Sequence, residues 1–286
     1  MKKLIAVLLV VAMMACMMTG CGSSSSTSSS DFDASEYGAD VQAIVDSGVL
    51  KVGVKNNVEG FGFQDVLTGD YAGLEIDLAE KIAAELGVEV EYTTVTAATR
   101  TELLDSGDLD CVIATFTVTD ERKLSWDFTT AYYVDAVTVL VEDSSNITDL
   151  SGLVGKTVGV SSGSTSAKAV VVAMIEAGLI SADSYNADTF DAATWTTDIS
   201  FRQYDDYPSI SLALSAGEVD AFSVDKSILS IYKTEGRSFI EENFSPQDYG
   251  IATAKDSGLS TLCEEFVTEW LADGTMAALI SANGIE

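Results

Sequence analysis

Arg122 closes the stretch Thr117-Val118-Thr119-Asp120-Glu121-Arg122 in a chain with few cations. Its planar guanidinium can grip a carboxylate through two parallel hydrogen bonds. An arginine after an acidic turn can equally be an ordinary surface residue. Asp225 ends the apolar run Ala221-Phe222-Ser223-Val224. A carboxylate there can meet an ammonium group, or cap a helix that starts at Lys226. The turn Ser162-Gly163-Ser164-Thr165 leads into a helix, and the free N–H groups of a helix start form an anion site. Ser164 and Thr165 are candidate contacts there, or plain caps. Lys55 after the first strand and Arg100 opening a helix are two further cations. They serve either as anion ligands or as partners for nearby acids.

Composition narrows the chemistry from the other side. There is no histidine. That removes the commonest metal ligand, the usual general base, and the Ser-His-Asp and Cys-His nucleophile arrangements. No catalytic residue, metal or cofactor is expected. The 15 Lys and Arg stand against 45 Asp and Glu, a formal net charge of −30. Such a surface repels nucleic acid and anionic lipid. Cys111 falls in an apolar strand and Cys263 on a helix face. Two cysteines so far apart in sequence read as buried free thiols rather than a disulfide.

These side chains need elements to bring them together. Short β-branched runs alternate with segments of helical period, the pattern of an α/β protein. Strands are expected at 49–54, 88–95, 109–115, 136–141, 155–160, 219–224 and 249–254. Helices are expected at 74–86, 99–106, 210–216 and most of 259–280, with another entered through 161–170. Leu74, Leu78, Ile82 and Leu86 share one helical face, and Gly87 stops that helix. The folded part, from about residue 36, exceeds one comfortable core and suggests two lobes. The order is lobe one over 36–143, lobe two over 144–238, and a return to lobe one over 239–286.

The N-terminus addresses the compartment. Lys2 and Lys3 precede the apolar run 4–18, a secretory signal layout too short for a comfortable membrane span. Met18-Thr19-Gly20-Cys21 resembles the bacterial lipobox, which makes residues 1–20 a signal peptide and Cys21 the lipidated residue. Cys16 is a rival, and an ordinary cleaved signal the plainer alternative. Residues 21–35, rich in serine, read as a flexible tether. Loss of 1–20 removes two lysines and no acid, so the remaining chain is more acidic still.

Leu50 to Asn57 (LKVGVKNN), Gly73 to Gly87 (GLEIDLAEKIAAELG), Ile113 to Tyr133 (IATFTVTDERKLSWDFTTAYY), Val219 to Leu229 (VDAFSVDKSIL) and Tyr249 to Ala252 (YGIA) come in a specific order. In that order they resemble family 3 of the bacterial extracellular solute-binding proteins, from about residue 50 onward. The resemblance implies a two-lobed periplasmic-binding-protein-like type II fold with the ligand cleft between lobes. It also implies an amino-acid ligand and an ABC permease as partner, with the chain held outside the cell membrane by its N-terminal lipid. Each charged end of a zwitterion needs partners when the cleft closes. By resemblance Arg122 and Thr117 hold the α-carboxylate, while Asp225 and the Thr115 carbonyl take the ammonium. Lys55, Arg100 and Tyr207 look like the aspartate/glutamate-binding branch, where they address the side-chain carboxylate. Phe61 or Phe63 stacks on the ligand, Phe61 being the candidate, and the other is core. A neutral ligand such as glutamine is the alternative. Secreted dehydratases on the same scaffold are a second one, and a signalling or adhesive surface protein a third.

Overall fold

The computed structural model describes residues 33–285. Residues 1–20 and Cys21 therefore lie outside the described residues. The expected tether ends early, because Asp33 caps a 3-10 turn over Ala34–Glu36. Tyr37 then donates to Glu265, 2.6 Å away. Helix α1 (Ala39–Ser47), which the sequence pattern did not suggest, follows at once. Strand β1 (Val49–Val54) comes next, with Leu50, Val52 and Val54 buried. A small antiparallel sheet joins β2 (Asn57–Val58), β3 (Gly62–Gln64) and β4 (Tyr71–Ala72).

Helix α2 (Leu74–Leu86) spans the expected residues and ends at Gly87 with φ 70, the left-handed turn that glycine adopts without strain. Then come β5 (Glu89–Thr94), α3 (Thr99–Asp105), β6 (Cys111–Ile113) and β7 (Trp126–Phe128). The first lobe's sheet runs β5-β1-β6, then a returning strand, then β7. Its parallel core pairs β1 with β5 and β6. Strands covered on both faces need near-continuous apolar runs. Cys111 to Ile113 supplies one, and β1 departs from it at the exposed Lys51.

The second lobe opens with β8 (Tyr133–Glu142) and continues with β9 (Thr157–Ser161), α4 (Ser166–Glu176), β10 (Ser200–Tyr204), α5 (Tyr207–Ser215), β11 (Ala221–Asp225), α6 (Lys226–Leu229), β12 (Arg237–Phe239) and β13 (Phe244–Tyr249). Its sheet runs β10-β9-β11-β8-β12, with β13 also on β8. The chain then returns through β14 (Ala252–Ala254), antiparallel to β6 and β7, and ends in α7 (Gly258–Asp273) and α8 (Thr275–Ala282).

The crossings thus lie at 129–132 and 250–251, not at 143/144 and 238/239. The polar stretch after Glu142 looked like a linker, but Ile147, Leu150 and Leu153 bury into the second lobe's core. The two crossings are tied side by side. The Thr129 N–H donates to the Ile251 carbonyl at 3.1 Å, and the Tyr132 N–H to the Tyr249 carbonyl at 2.9 Å. That pair forms the hinge. Cys111 and Cys263 are buried free thiols, as expected.

Candidate ligand-binding cleft

Three buried first-lobe side chains face the second lobe. Lys55 follows β1, Glu75 sits in the first turn of α2, and Arg100 lies in the first turn of α3. Arg100 stacks on Phe116, its guanidinium carbon 3.8 Å from the ring centre. Its Nη1 donates to the carbonyls of Ala114 (2.9 Å) and Thr115 (3.2 Å), and its buried Nε has no partner. Glu75 Oε1 accepts from the Thr115 N–H at 2.5 Å and from the Tyr132 hydroxyl at 2.6 Å. Thr115, at φ 44, is thus held on both sides in a backbone region that costs a threonine energy. Its carbonyl, the expected ammonium acceptor, already serves Arg100 but has a second lone pair.

Arg122 lies over the other face of the site. Its Nη1 donates to the Thr117 carbonyl at 2.7 Å and its Nη2 to the Gly163 carbonyl at 3.0 Å. The second bond crosses between lobes. Gly163 has φ +73, and a Cβ there would lie 2.7 Å from the Ala97 carbonyl oxygen, so the lobes approach this closely only over a glycine. The Thr165 hydroxyl does not cap α4; it donates to Gln247 Oε1 at 2.7 Å, and Thr117 donates to the same oxygen at 2.8 Å. Gln247 is buried and joins a hydroxyl from each lobe. Thr117, expected to help hold the α-carboxylate, has its hydroxyl proton committed to Gln247. Ser164 Oγ turns back to the Ser161 carbonyl at 2.7 Å. A groove of about 810 Å3 opens beside Arg122, Gly163 and Thr165.

The second lobe supplies Asp225 and Tyr207, both buried. Asp225 stands at the helix-capping position of α6 but makes no cap; it accepts from the Tyr249 hydroxyl at 2.6 Å. Lys55 Nζ lies 5.5 Å from the centre of the Tyr207 ring. Phe61 is 1% exposed and packs edge-on against Tyr133 (5.0 Å) and Tyr249 (5.8 Å), whereas Phe63 is 42% exposed. Phe61 is thus the one packed among aromatic side chains, and Phe63 is not the core residue it was expected to be.

Charge dominates this site. Burial first, and then the neighbouring Arg100, pushes Lys55 down to about 7. The same causes bring Arg122 down to about 9. Burial also raises the Glu75 carboxyl, against the opposing hydrogen bonds of Tyr132 and Thr115. Asp225 is pushed up to about 7, by burial first. None of Lys55, Glu75, Arg100, Arg122 and Asp225 forms a salt bridge among the described residues. Glu75 Oε2, Arg100 Nε and Thr115 Oγ1 are buried without a hydrogen-bond partner. Buried polar atoms in native proteins are nearly always satisfied, so these three leave hydrogen-bonding capacity unspent in the candidate cleft. The sequence brought Lys55, Arg100, Arg122, Tyr207 and Asp225 to notice, and the fold brings them together. It missed Glu75, Phe116 and Gln247.

The sequence profile of bacterial extracellular solute-binding proteins, family 3, matches residues 50–283. The chain belongs to that family. As a family 3 protein it is a solute-binding protein of the amino-acid ABC-transporter kind. It is 30% identical over 260 residues to a glutamine-binding protein of Geobacillus stearothermophilus, covering 89% of this chain and 91% of that one. It is 27% identical to a glutamate-binding protein of Corynebacterium glutamicum, covering 84% and 80%. Among solved structures, an ancestral arginine-binding protein bound to arginine superposes with a TM-score of 0.67 at 31% identity, covering 82% of this chain and 97% of that one. Those three names carry three different amino acids.

Proposed function

We propose that this family 3 protein captures aspartate or glutamate outside the cell and delivers it to the permease of an ABC importer. The observation that carries the acidic ligand is the charge balance of the closed cleft. Lys55, Arg100 and Arg122 stand against Glu75 and Asp225, with no salt bridge among them. With all five ionised, one positive charge is left over. Glutamate or aspartate brings one ammonium and two carboxylates, and so closes the balance. A neutral glutamine leaves a buried cation without a counter-charge, which is costly. Arg122 takes the α-carboxylate and Asp225 the ammonium. Lys55 and Arg100, with Tyr207 behind Lys55, take the side-chain carboxylate. Thr115 adds its carbonyl to the ammonium, Thr117 holds Arg122, and Ser164 and Thr165 close the groove from the second lobe.

Glutamine is the second reading, favoured by the Geobacillus relative's name. Calorimetric titration against the common amino acids separates the two. Aspartate or glutamate should bind at least roughly tenfold more tightly than the matching amide, or about 1.4 kcal/mol. Lys55→Ala should shrink that margin. Glutamine binding as well as glutamate would sink the acidic reading.

Among the described residues no helix is long and apolar enough to cross a membrane. We further propose that Cys21 carries the lipid that anchors the chain. Mass spectrometry should find acylated Cys21 at the N-terminus, and Cys21→Ala should leave the membrane fraction. Lipid found on Cys16 instead would overturn this.

A further inference from the structure

We propose that Asp135 is a positioning residue acting through the Tyr249 hydroxyl, so that Asp225 carries a proton in the ligand-free cleft and gives it up when a ligand ammonium arrives. The proposal rests on the reading of Asp225 as the ammonium partner, but not on which amino acid is bound.

Tyr249 has one hydroxyl proton and two carboxylates within reach. Its oxygen lies 2.6 Å from Asp225 Oδ2 and 3.2 Å from Asp135 Oδ2. Asp135 Oδ2 is held in place by the Ser227 N–H (3.1 Å) and hydroxyl (2.5 Å). The sheet sets this arrangement. Asp225 pairs with Val137 on β8, two residues from Asp135, and Tyr249 belongs to β13 on the other side of β8. All three residues therefore belong to the second lobe's sheet.

A single proton cannot serve both carboxylates. If Tyr249 donates to Asp225, a lone pair of its oxygen faces the Asp135 carboxylate. If Asp225 is protonated, Asp225 donates to Tyr249 and Tyr249 donates to Asp135, so every contact carries a hydrogen. Burial favours the protonated form of Asp225, the Tyr249 hydrogen bond opposes it, and the Asp135 charge favours it again. Arg100 and Arg122 oppose it from the first lobe, and Lys55 also faces Asp225 from there. Tyr207 faces it from α5, and Glu75 lies beyond Lys55 and Arg100. Asp135 is the carboxylate that faces Asp225 from its own sheet.

In the binding step, the Asp225 O–H bond breaks and its proton leaves to water. The hydroxyl hydrogen of Tyr249 turns from Asp135 to Asp225, and the ligand ammonium replaces the lost charge. No electrons move between atoms of different groups.

The test is calorimetry with L-glutamate and with L-glutamine, in phosphate and in Tris at pH 7, on the wild type and Asp135→Asn. A group titrating near 7 is half protonated there, so the wild type should release up to about half a proton more per ligand than Asp135→Asn does. Relative to that of Asp135→Asn, its affinity should fall roughly fourfold from pH 7.5 to 6. Lys55 is unchanged in the variant, so any proton it takes up cancels in the comparison. Asp135→Ser removes the charge without adding an amide and should behave as Asp135→Asn does. Equal proton release by wild type and variant would overturn the proposal, as would a variant weakened equally at every pH. Asp225→Ala binding as well as wild type would overturn the ammonium reading itself, and the proposal with it.

Discussion

Arg122→Ala is expected to weaken ligand binding by several hundred-fold or more, and Asp225→Ala by a comparable factor. Leaving one partner of a desolvated, hydrogen-bonded charge pair without its mate costs about 3–5 kcal/mol. Arg122 has a second consequence. Its Nη2 bond to the Gly163 carbonyl spans the lobes, so its removal also loosens the closed state. The exposed Glu121–Lys168 pair at 3.9 Å spans the same gap and cannot substitute, since screened surface pairs contribute little. Asp225→Ala strips the Tyr249 hydroxyl of its nearer acceptor as well as the ammonium of its partner. Titration calorimetry measures both losses, with circular dichroism as the check on folding. A folded variant of either kind that binds within about threefold of wild type would show that the headgroup has been misassigned.

What the sequence disclosed and what it hid follow from the range of the contacts involved. Helix α2 was legible to the residue, because an apolar stripe and a stop glycine are local signals. Asp225 was legible as a charge at the end of an apolar segment, whereas Arg122, after an acidic turn, stood out only through the motif from Thr117 to Arg122. Tyr207 was singled out, but its helix starts earlier than the expected residue 210. Asp206 accepts from the Ser209 N–H with Pro208 in the first turn, a capping signal that was there to be read. Glu75 was hidden. An acid in the first turn of a helix is the ordinary surface choice, and its burial depends on Thr115 and Tyr132, 40 and 57 residues away. Gln247 was hidden for the same reason, since its partner Thr117 is 130 residues distant. The sheet to which β8 belongs could not be read either. An apolar strand says that it is buried, and does not say against which neighbours.

Glu75→Ala should then be the most damaging substitution for the fold among the site residues, although nothing in the local sequence marks it. Removing the carboxylate leaves the Thr115 N–H and the Tyr132 hydroxyl as buried donors without acceptors. Each such orphan costs about 1–3 kcal/mol. Lys55 and Arg100 also lose the one buried acid of their own lobe. The sum is about 3 kcal/mol or more, a fall in melting temperature of roughly 10 °C for a chain of this size. Glu75→Gln should be milder, because its amide oxygen can accept both hydrogen bonds. Its effect should also depend on pH with a definite sign. Burial raises the Glu75 carboxyl above the ordinary carboxylate range. The stability this shift contributes is present below that range and is lost as pH rises through the raised value. The wild-type advantage over Glu75→Gln should therefore narrow as pH rises, in melts of the ligand-free protein. These contacts all lie within the first lobe and its hinge, so the result should not depend on whether the cleft is open. A Glu75→Ala melt unchanged from wild type, or an advantage that widens with rising pH, would show that Thr115 is held by something other than this carboxylate.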